Sequence, residues 1–447
     1  MKIINFFIQT FGCQMNVHDS EQMAELLQKH GYVAVDEPNL ADIIILNTCS
    51  IREKAEQKAN SQIGRFGRFK SQNPRLLIGI AGCLAQQRSE SFRNQNSYLD
   101  LIIGTHNIHL LPMMIEEKLK RASPVIKTDF HDHVESIGIF AKPRKGSISA
   151  YVTVMQGCNN FCAYCVVPYL RGREESRPVN DILDEIKKLT DFGIKEVTLL
   201  GQNVNSYGKT IGNGSNFADL IQKIGEIKGI ERIRFTTSHP KDLTDDIIEC
   251  FKEVRQLCEH IHLPVQSGSD FILKKMNRLY KSEDYLKKVD KLRKMCSNIS
   301  ITSDIIVGFP GENEDDFRRT IKLMEGIKFD SVFSFKYSDR NGTASSKFEN
   351  KIEEKVKKER LAIVQELQKR HTIEKNRSLE GRFEEILVEG HSKNSKRDMT
   401  GRTRSNKIVN FEGDVALIGK TEMVRIEKAF LHSLRGKLSR QEEDVLL

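Results

Sequence analysis

The sequence predicts a multidomain α/β protein in three parts: an open parallel α/β sheet, a second α/β series of barrel type, and a small antiparallel β-barrel. Two series of short apolar runs, separated by amphipathic segments, predict the first two parts. Short alternating runs bounded by turns predict the third. The chain has 447 residues, 38% hydrophobic and 29% charged, which is enough for two or three globular domains. We predict domains over 1–140, 147–375 and 376–440.

The first part contains predicted strands in IINFFIQTFGC, DIIILNTC, RLLIGIAGC and LDLIIGT, with helices over 20–30 and 52–69. Cys13, Cys49 and Cys83 each fall just past the carboxyl end of one of these strands. Because the carboxyl ends of parallel strands meet at one edge of a sheet, the pattern predicts a shared metal site at that edge. The alternative is three unrelated core thiols.

A polar segment over 131–146 separates the first part from the second and is interpreted as a linker. The second series has predicted strands in AYVTVMQG, EVTLLG, RIRFTTS, HIHLPV, ITSDIIVGF and SVFSFKYS, with helices between them, for example over 178–192, 244–253, 282–295 and 314–326. Such a series of βα units predicts a barrel or partial barrel whose chemistry lies at the carboxyl ends of its strands.

The loop after the first strand of this series reads MQGCNNFCAYCVVPYLRGREESRP. Cys158, Cys162 and Cys165 form C-x3-C-x2-C, and three thiolates can hold three corners of a cubane cluster while its fourth iron stays open. A zinc site would need a fourth side chain, and the nearest loop histidine in the sequence, His239, lies a whole βα unit away. The other three cysteines lack ligand spacing and are interpreted as structural thiols.

The third part follows a charged helix over 352–376 and contains short strands in FEEILVEGHS, MTGRTRS, KIVNF and TEMVRIEKAF. Its first hairpin, 391–407, carries six Lys or Arg against one Asp, in a chain of net charge +9. This local charge favours contact with nucleic acid over a merely solvated hairpin. The predicted contacts are Lys393, Lys396, Arg397, Arg402, Arg404 and Lys407.

The longest apolar runs are far too short for a membrane span, and the first residues lack a small-residue cleavage site. We therefore expect a cytoplasmic protein without a membrane partner. In that reducing compartment, the nine cysteines are not expected to form a disulfide framework.

The cysteine loop resembles the signature of radical S-adenosylmethionine (SAM) enzymes, and the whole chain resembles their methylthiotransferase family. The motifs TFGCQMNVHDSE, LNTCSIREKAEQK and AGCLAQ match the N-terminal domain of that family. Further matches are GCNNFCAYCVVPYLRGREESRP, LLGQNVNSYG, TSHPKDLTDD and HLPVQSGSDFILKKMNR in the barrel. The resemblance runs from about residue 3 to about 435. It implies an N-terminal cluster domain, a partial (β/α)6 radical SAM barrel and a C-terminal TRAM barrel.

The resemblance also implies the chemistry and the cofactors. Cys158, Cys162 and Cys165 would hold a [4Fe–4S] cluster that gives one electron to SAM, and the resulting radical would abstract hydrogen from C2 of an N6-isopentenylated adenosine beside the tRNA anticodon. A second [4Fe–4S] cluster on Cys13, Cys49 and Cys83 would carry the inserted sulfur, which a second SAM methylates. Asn203, Ser238 and Gln266 would contact SAM. The implied partners are the anticodon stem-loop of tRNA and a one-electron reductant such as flavodoxin or ferredoxin, with the enzyme acting as a monomer.

Three points stay open at this stage. The substrate of a related methylthiotransferase, threonylcarbamoyladenosine in tRNA or an aspartate of a ribosomal protein, is the main alternative. A non-catalytic iron–sulfur RNA-binding protein is a second, which the open iron disfavours. Arg171 and Arg173 are candidate contacts to RNA or cosubstrate, or else members of a salt-bridged surface loop.

Overall fold

A computed structural model describes residues 4–50, 53–131, 133–212, 214–393 and 395–439. The first part is a six-stranded parallel sheet in the order β2-β1-β3-β4-β5-β6, with helices on its faces. Its strands are β1 (Asn5–Phe11), β2 (Val33–Ala34), β3 (Ile43–Thr48), β4 (Leu77–Gly82), β5 (Leu101–Ile103) and β6 (Val125–Lys127). Its helices are α1 (Gln14–Lys29), α2 (Glu53–Gln72), α3 (Cys83–Gln95) and α4 (Leu111–Lys120).

The central strands β3 and β4 are buried along their whole length, as their continuous apolar runs predict for a sheet covered on both faces. All four predicted strands are present in this part. The helix predicted to start at residue 20 begins at Gln14, directly after Cys13. The predicted start of the second helix, residue 52, lies outside the described residues, and that helix is described from Glu53.

The second part is a partial barrel of six parallel strands. Its two sheets have the orders β11-β10-β7 and β12-β13-β14, and a bridge between Ile233 and Leu257 joins them. The strands are β7 (Ser149–Thr153), β10 (Glu196–Leu200), β11 (Arg232–Phe235), β12 (His260–His262), β13 (Ser300–Val307) and β14 (Ser331–Lys336); a small ribbon pairs β8 (Met155–Gln156) with β9 (Glu175–Ser176). The helices are α5 (Val167–Leu170), α6 (Val179–Asp191), α7 (Phe217–Gly225), α8 (Asp245–Glu253), α9 (Asp270–Lys275), α10 (Ser282–Met295), α11 (Glu314–Ile327) and α12 (Glu354–Arg377).

The third part is a closed five-stranded barrel in the order β15-β16-β17-β19-β18. Its strands are β15 (Phe383–Ser392), β16 (Ser395–Thr403), β17 (Ile408–Glu412), β18 (Thr421–Ala429) and β19 (Leu434–Leu438). Closure removes exposed strand edges. The predicted fold class is confirmed in all three parts.

The small barrel packs against the floor of the partial barrel, at the amino ends of its strands. Arg232, at the start of β11, donates to the carbonyls of Arg402 at 2.7 Å and Glu385 at 3.1 Å. Arg234 donates to the carbonyls of Thr403 at 2.8 Å and Arg404 at 2.9 Å. Both arginines are buried, so this contact fixes the small barrel opposite the loop that carries the second cysteine triad.

Within the described residues, no helix is long and apolar enough to cross a membrane.

Candidate active site

The first cysteine triad lies at the carboxyl edge of the N-terminal sheet. Cys13 follows β1, Cys49 follows β3, and Cys83 follows β4 as the first residue of α3. Because β1, β3 and β4 are adjacent, the three loops meet at one edge, as the sequence predicts. Cys49 and Cys83 are buried, and Cys13 is partly exposed.

Two buried asparagines tie these loops together. Asn47 donates through Nδ2 to the carbonyl of Asn16 at 2.8 Å, and Asn16 donates to Asn47 Oδ1 at 3.2 Å. Asn16 Oδ1 also accepts from the backbone N–H of Cys13 at 3.3 Å. Gly82 has a φ of +87°, and a Cβ there would lie 2.3 Å from Asn47 Oδ1, so the residue before Cys83 has to be glycine.

The second triad lies on the loop that follows β8. Gly157 precedes Cys158 at a φ of +80°, and a Cβ on it would lie 1.9 Å from the Arg173 carbonyl oxygen. The N–H of Cys158 donates to the Gly172 carbonyl at 3.2 Å, which folds the loop back on itself. The N–H of Cys165 donates to the carbonyl of Cys162 at 2.9 Å.

A buried arginine that sequence reasoning missed lies beside this triad. Arg278 ends the motif HLPVQSGSDFILKKMNR, and its Nη1 donates to Cys162 Sγ at 3.4 Å. His239 Nε2 lies 4.0 Å from the same sulfur, while its Nδ1 accepts from the N–H of Lys241 at 3.2 Å. Burial, and then the charge of Arg278, lower the pKa of His239 to about 2, so the ring is neutral and its Nε2–H is directed to the sulfur.

Arg171 occupies the corresponding place beside the first triad. Its side chain and that of Asp19 are 3% and 4% exposed, and Nη1 donates to Asp19 Oδ1 at 3.3 Å. Burial raises the pKa of Cys83, and the charge of Arg171 partly offsets that rise. The pKa of Cys13 is lowered, first by a hydrogen bond with Cys49 and then by the charge of Arg171. The structure therefore places Arg171 in a buried salt bridge between domains, whereas Arg173 is exposed on the surface.

The segment after the second triad brings the two triads to one interface. Val166 and Leu170, which closely follow Cys165, pack against Cys83 of the N-terminal domain. Thr105 Oγ1 donates to the Leu170 carbonyl, and His106 Nε2 bonds to the Arg171 carbonyl at 3.0 Å.

The thiols differ in how readily they ionise. A hydrogen bond with Cys49, followed by the charge of Arg171, lowers the pKa of Cys13 to about 6. Burial raises the pKa of Cys158 to about 11 and that of Cys165 to about 12. Metal binding at the second triad must therefore displace protons that burial holds on the sulfurs.

Buried polar groups without partners lie just past the carboxyl ends of three barrel strands. Among the described residues, Ser238 Oγ, Gln266 Oε1 and both polar side-chain atoms of Asn205 are buried without a hydrogen-bond partner. They follow three successive strands, β11, β12 and β10. Gln266 itself, and Thr237 beside Ser238, have a φ of +71°, a strained backbone that is common at functional sites.

Asn203 differs from the other two predicted SAM contacts. Its Nδ2 donates to Asp242 Oδ2 at 2.8 Å, and its Oδ1 accepts from the N–H of His239 at 3.0 Å. These bonds use the amide to brace the loops, and contact of Asn203 with SAM stays a prediction. The amide of Asn205, two residues later, is the one without partners.

The donors present fit the cofactors that the resemblance implies. Buried polar atoms above the strands suit a ligand with amino, carboxylate and hydroxyl groups, as SAM has. In the described residues, no three His, Cys, Asp or Glu side chains converge as ligands of a single metal ion. A cubane distributes its thiolates over several irons, so a three-cysteine set suits a cluster better than a mononuclear zinc site.

The basic residues of the hairpin over 391–407 fall into two groups, those that are exposed and those that form ion pairs within the protein. Lys393 and Arg397 are exposed near its tip, and the side chain of Lys396 lies outside the described residues. The other three predicted RNA contacts form ion pairs within the protein: Arg402 with Glu389 at 3.0 Å, Arg404 with Glu259 at 2.8 Å and Lys407 with Asp330 at 3.2 Å. The pairs of Arg404 and Lys407 join the small barrel to the partial barrel, so RNA contact by these three stays a prediction.

Three family profiles match the chain. Residues 5–104 match the uncharacterized protein family UPF0004, residues 152–324 match the radical SAM superfamily, and residues 377–439 match the TRAM domain. Together with the C-x3-C-x2-C loop, they define the class of the protein as a radical SAM enzyme.

Curated relatives narrow the class to a family. A tRNA-2-methylthio-N(6)-dimethylallyladenosine synthase of Syntrophus aciditrophicus is 56% identical over 438 residues, which is 98% of this chain and 95% of that protein. Synthases of the same name from Clostridium botulinum and Acetivibrio thermocellus are 49% and 48% identical, over 97% of this chain and 96% and 91% of theirs. The chain belongs to the family of tRNA-2-methylthio-N(6)-dimethylallyladenosine synthases, and the predicted resemblance is confirmed.

Solved structures support the fold. The radical S-adenosylmethionine methyltransferase TsrM from Kitasatospora setae, with cobalamin and a [4Fe–4S] cluster bound, matches with a TM-score of 0.56. The match has 12% identity and covers 77% of this chain and 74% of that one. The cobalamin-dependent radical enzyme OxsB matches with a TM-score of 0.51 and 14% identity, over 82% of this chain and 56% of that one.

Proposed function

We propose that this protein converts N6-isopentenyladenosine beside the anticodon of tRNA to its 2-methylthio derivative. The observation that carries the proposal is the packing of Cys83, a member of the first triad, against Val166 and Leu170, which closely follow the second triad. An enzyme that inserts sulfur at a radical centre needs such an arrangement, since both sites must reach one carbon atom of the substrate.

Cys158, Cys162 and Cys165 would hold the cluster that binds SAM, and Cys13, Cys49 and Cys83 would hold the second cluster. When bound, the cluster and SAM supply the radical that removes hydrogen from C2, a position that acid–base catalysis does not activate. The second cluster would supply the sulfur.

The chain's own residues would position and shield these groups. Arg278 and Arg171, one beside each triad, offset the negative charge of the thiolates in a buried environment. Ser238, Gln266 and Asn205 offer the unpartnered polar atoms for SAM. Helix α1 of the N-terminal domain lies against β7, where Thr153 Oγ1 is 3.7 Å from the sulfur of Met15, and this interface would limit the access of water to the first triad.

The anticodon loop is a suitable target, because a single-stranded base can be turned out without breaking a duplex. Lys393 and Arg397 would contact phosphates and add salt-dependent affinity. A tRNA substrate implies a cytoplasmic enzyme and a one-electron donor such as flavodoxin or ferredoxin, and the complete site within one chain is compatible with a monomer.

The test uses anaerobically reconstituted protein with dithionite, SAM and an isopentenylated anticodon stem-loop RNA. Mass spectrometry follows 5′-deoxyadenosine and the methylthio nucleoside. The wild type and a Cys296→Ala control, altered at a cysteine outside both triads, are expected to form both products. A Cys13→Ala/Cys49→Ala/Cys83→Ala variant is expected to form only 5′-deoxyadenosine.

The assignment of the substrate is tested by adding a competing RNA that carries threonylcarbamoyladenosine. Modification of that RNA in preference to the isopentenylated one would overturn the proposed substrate while leaving the radical chemistry intact. Failure of the wild type to cleave SAM would overturn the function as a whole.

A further inference from the structure

Helix α2 of the N-terminal domain carries charge of one sign. Residues 57–75, which comprise most of this helix and the turn that follows it, contain five Lys or Arg and no Asp or Glu. The long helix α12, by contrast, intersperses its lysines and arginines with glutamates. Mixed charge of that kind is typical of a helix face that only meets solvent, so the composition of α2 indicates an additional role.

Three of these cations lie on the face of α2 that points away from the sheet. Ile63 and Phe66 pack into the core on one face of the sheet. Lys58, Arg65 and Arg68 are exposed, and their spacings of seven and three residues place them along one stripe of the helix. We call this surface the α2 stripe.

The protein itself does not neutralise the α2 stripe. Within the described residues, Lys58, Arg65 and Arg68 form no ion pair, whereas Lys70 of the same helix pairs with the buried Asp100. Like charges that are grouped without compensation repel one another and attract a partner of opposite sign.

A glycine on the same side of the helix leaves room for a close approach. Gly64 is exposed, and a Cβ there would have nothing within 4 Å. Packing explains the other glycine of α2, because a Cβ on Gly67 would lie 3.1 Å from the Tyr98 ring, but it does not explain Gly64. Glycine weakens a helix interior relative to alanine. Here it opens the helix backbone next to Ser61 and Arg68, which lie one turn away on either side.

The α2 stripe starts near the first cysteine triad. Helix α2 follows the Cys49 loop, so its first turn lies at the carboxyl edge of the sheet, and Lys58 belongs to the second turn. From Lys58 to Arg68 the stripe extends for about 15 Å, at 1.5 Å per residue. A partner bound along the stripe would therefore reach the edge at which the proposed substrate reacts.

We propose that the α2 stripe binds the sugar–phosphate backbone of the anticodon arm of tRNA, an inference that rests on the proposed function. A row of cations without carboxylates matches the repeated negative charge of an RNA strand. The Ser61 hydroxyl can donate to a phosphate, and Gly64 lets the strand come close to the helix. The contact would hold the arm from a second domain, without reading its sequence.

An acidic protein is the other polyanion that such a surface could attract. Interfaces between proteins have an apolar, often aromatic centre. Among residues 57–75, all of which the structure describes, none is a large exposed apolar residue. The α2 stripe therefore fits RNA better than a protein partner.

The test removes three charges from the α2 stripe and, in a control, three charges from the outer helices α6 and α7 of the barrel. The two variants are Lys58→Gln/Arg65→Gln/Arg68→Gln and Lys187→Gln/Lys188→Gln/Lys223→Gln. Fluorescence anisotropy measures the Kd of isopentenylated anticodon stem-loop RNA at several salt concentrations. Loss of three phosphate contacts is expected to reduce the slope of log Kd against log salt by about 2, so the loss of affinity should be roughly 16-fold larger at about 50 mM salt than at about 200 mM.

Gly64→Gln separates the contact from the stability of the fold. Glutamine favours the helix and fills the open space, so thermal unfolding should occur at the same or a higher temperature while RNA binding weakens. Unchanged RNA affinity in this variant would refute the close approach at Gly64.

The proposal is supported if the stripe variant loses affinity and salt dependence as stated while the control keeps both. It is overturned if the stripe variant keeps the wild-type Kd and slope, or if its only defect is slower turnover with flavodoxin but not with dithionite, since the surface would then serve an acidic protein. If the wild type modifies the RNA and the stripe variant binds it equally well, the α2 stripe alone is wrong. If the wild type neither binds nor modifies the RNA, the proposed function fails as well.

Discussion

The salt bridge between Arg171 and Asp19 is expected to hold the two cysteine-bearing domains together. Arg171→Met keeps much of the side-chain volume but leaves the Asp19 carboxylate, 4% exposed, without its cation. Removing one partner of a buried ion pair costs about 3–5 kcal/mol, because the remaining charge is neither solvated nor compensated. The opening equilibrium of this interface should shift by a factor of about 150 to 5,000.

The assay is thiol labelling of the cluster-free protein under native conditions. Cys83 is buried at the interface and should react mainly when the domains separate, so its labelling rate reports the opening equilibrium. Mass spectrometry of the labelled peptides would follow Cys83 and, as an internal reference, Cys250 in the barrel core. Arg171→Met should accelerate labelling of Cys83 and leave that of Cys250 unchanged.

Arg173→Met is the matched control, since it removes an exposed arginine two residues away. Its effect should be below about 1 kcal/mol. An Asp19→Leu/Arg171→Met double variant should recover part of the loss, because it removes the uncompensated charge. Labelling of Cys83 that is no faster in Arg171→Met than in Arg173→Met would refute the role assigned to this pair.

Three further changes probe other parts of the site. Gly157→Ala should reduce the iron bound at the second triad, measured by iron analysis, whereas Gly146→Ala, at a similar φ of +83° with nothing within 4 Å, should not. Arg278→Met should lower the midpoint potential of that cluster in an EPR-monitored titration, because a positive charge beside it disappears; an unchanged or higher potential would contradict this. Burial, and then the charge of Arg234, lower the pKa of His260 from 6.5 to about 3. Between pH 6.5 and pH 3 the unfolded state therefore binds more protons than the folded state, and the stability of the fold decreases as the pH drops through this range. His260→Gln should flatten that dependence, by at most about 1.4 kcal/mol per pH unit, in urea unfolding at several pH values.

The order of apolar runs was enough to predict the main strands and the edge that carries Cys13, Cys49 and Cys83. The longer strands show their burial pattern directly, whereas β5 and β12, with three residues each, were predicted from the longer apolar runs that contain them. The sequence did not reveal β2, β6 or β19, which have two, three and five residues. A short run has too few positions to establish a period.

The limits of prediction at the site come from contacts between residues distant in sequence. Asn203 and Asn205 have the same side chain in one motif, and only the position of Asp242 decides which amide is used internally. Arg404 and Glu259 are 145 positions apart, so the charge of the hairpin could not reveal that the arginine is neutralised by the barrel floor. The composition of a segment shows how much charge it carries, but not which distant residues pair with that charge.

The docking of the small barrel through Arg232 and Arg234 has a geometric consequence. A domain tethered by a loose linker samples many distances, but one anchored by buried guanidinium groups keeps a fixed span between its surface and the cysteine loop. With the proposed substrate, Lys393 and Arg397 would contact the RNA backbone at a set distance from the reacting carbon. The nucleotide at that distance from the contacted phosphates would then be the one presented to the reacting centre.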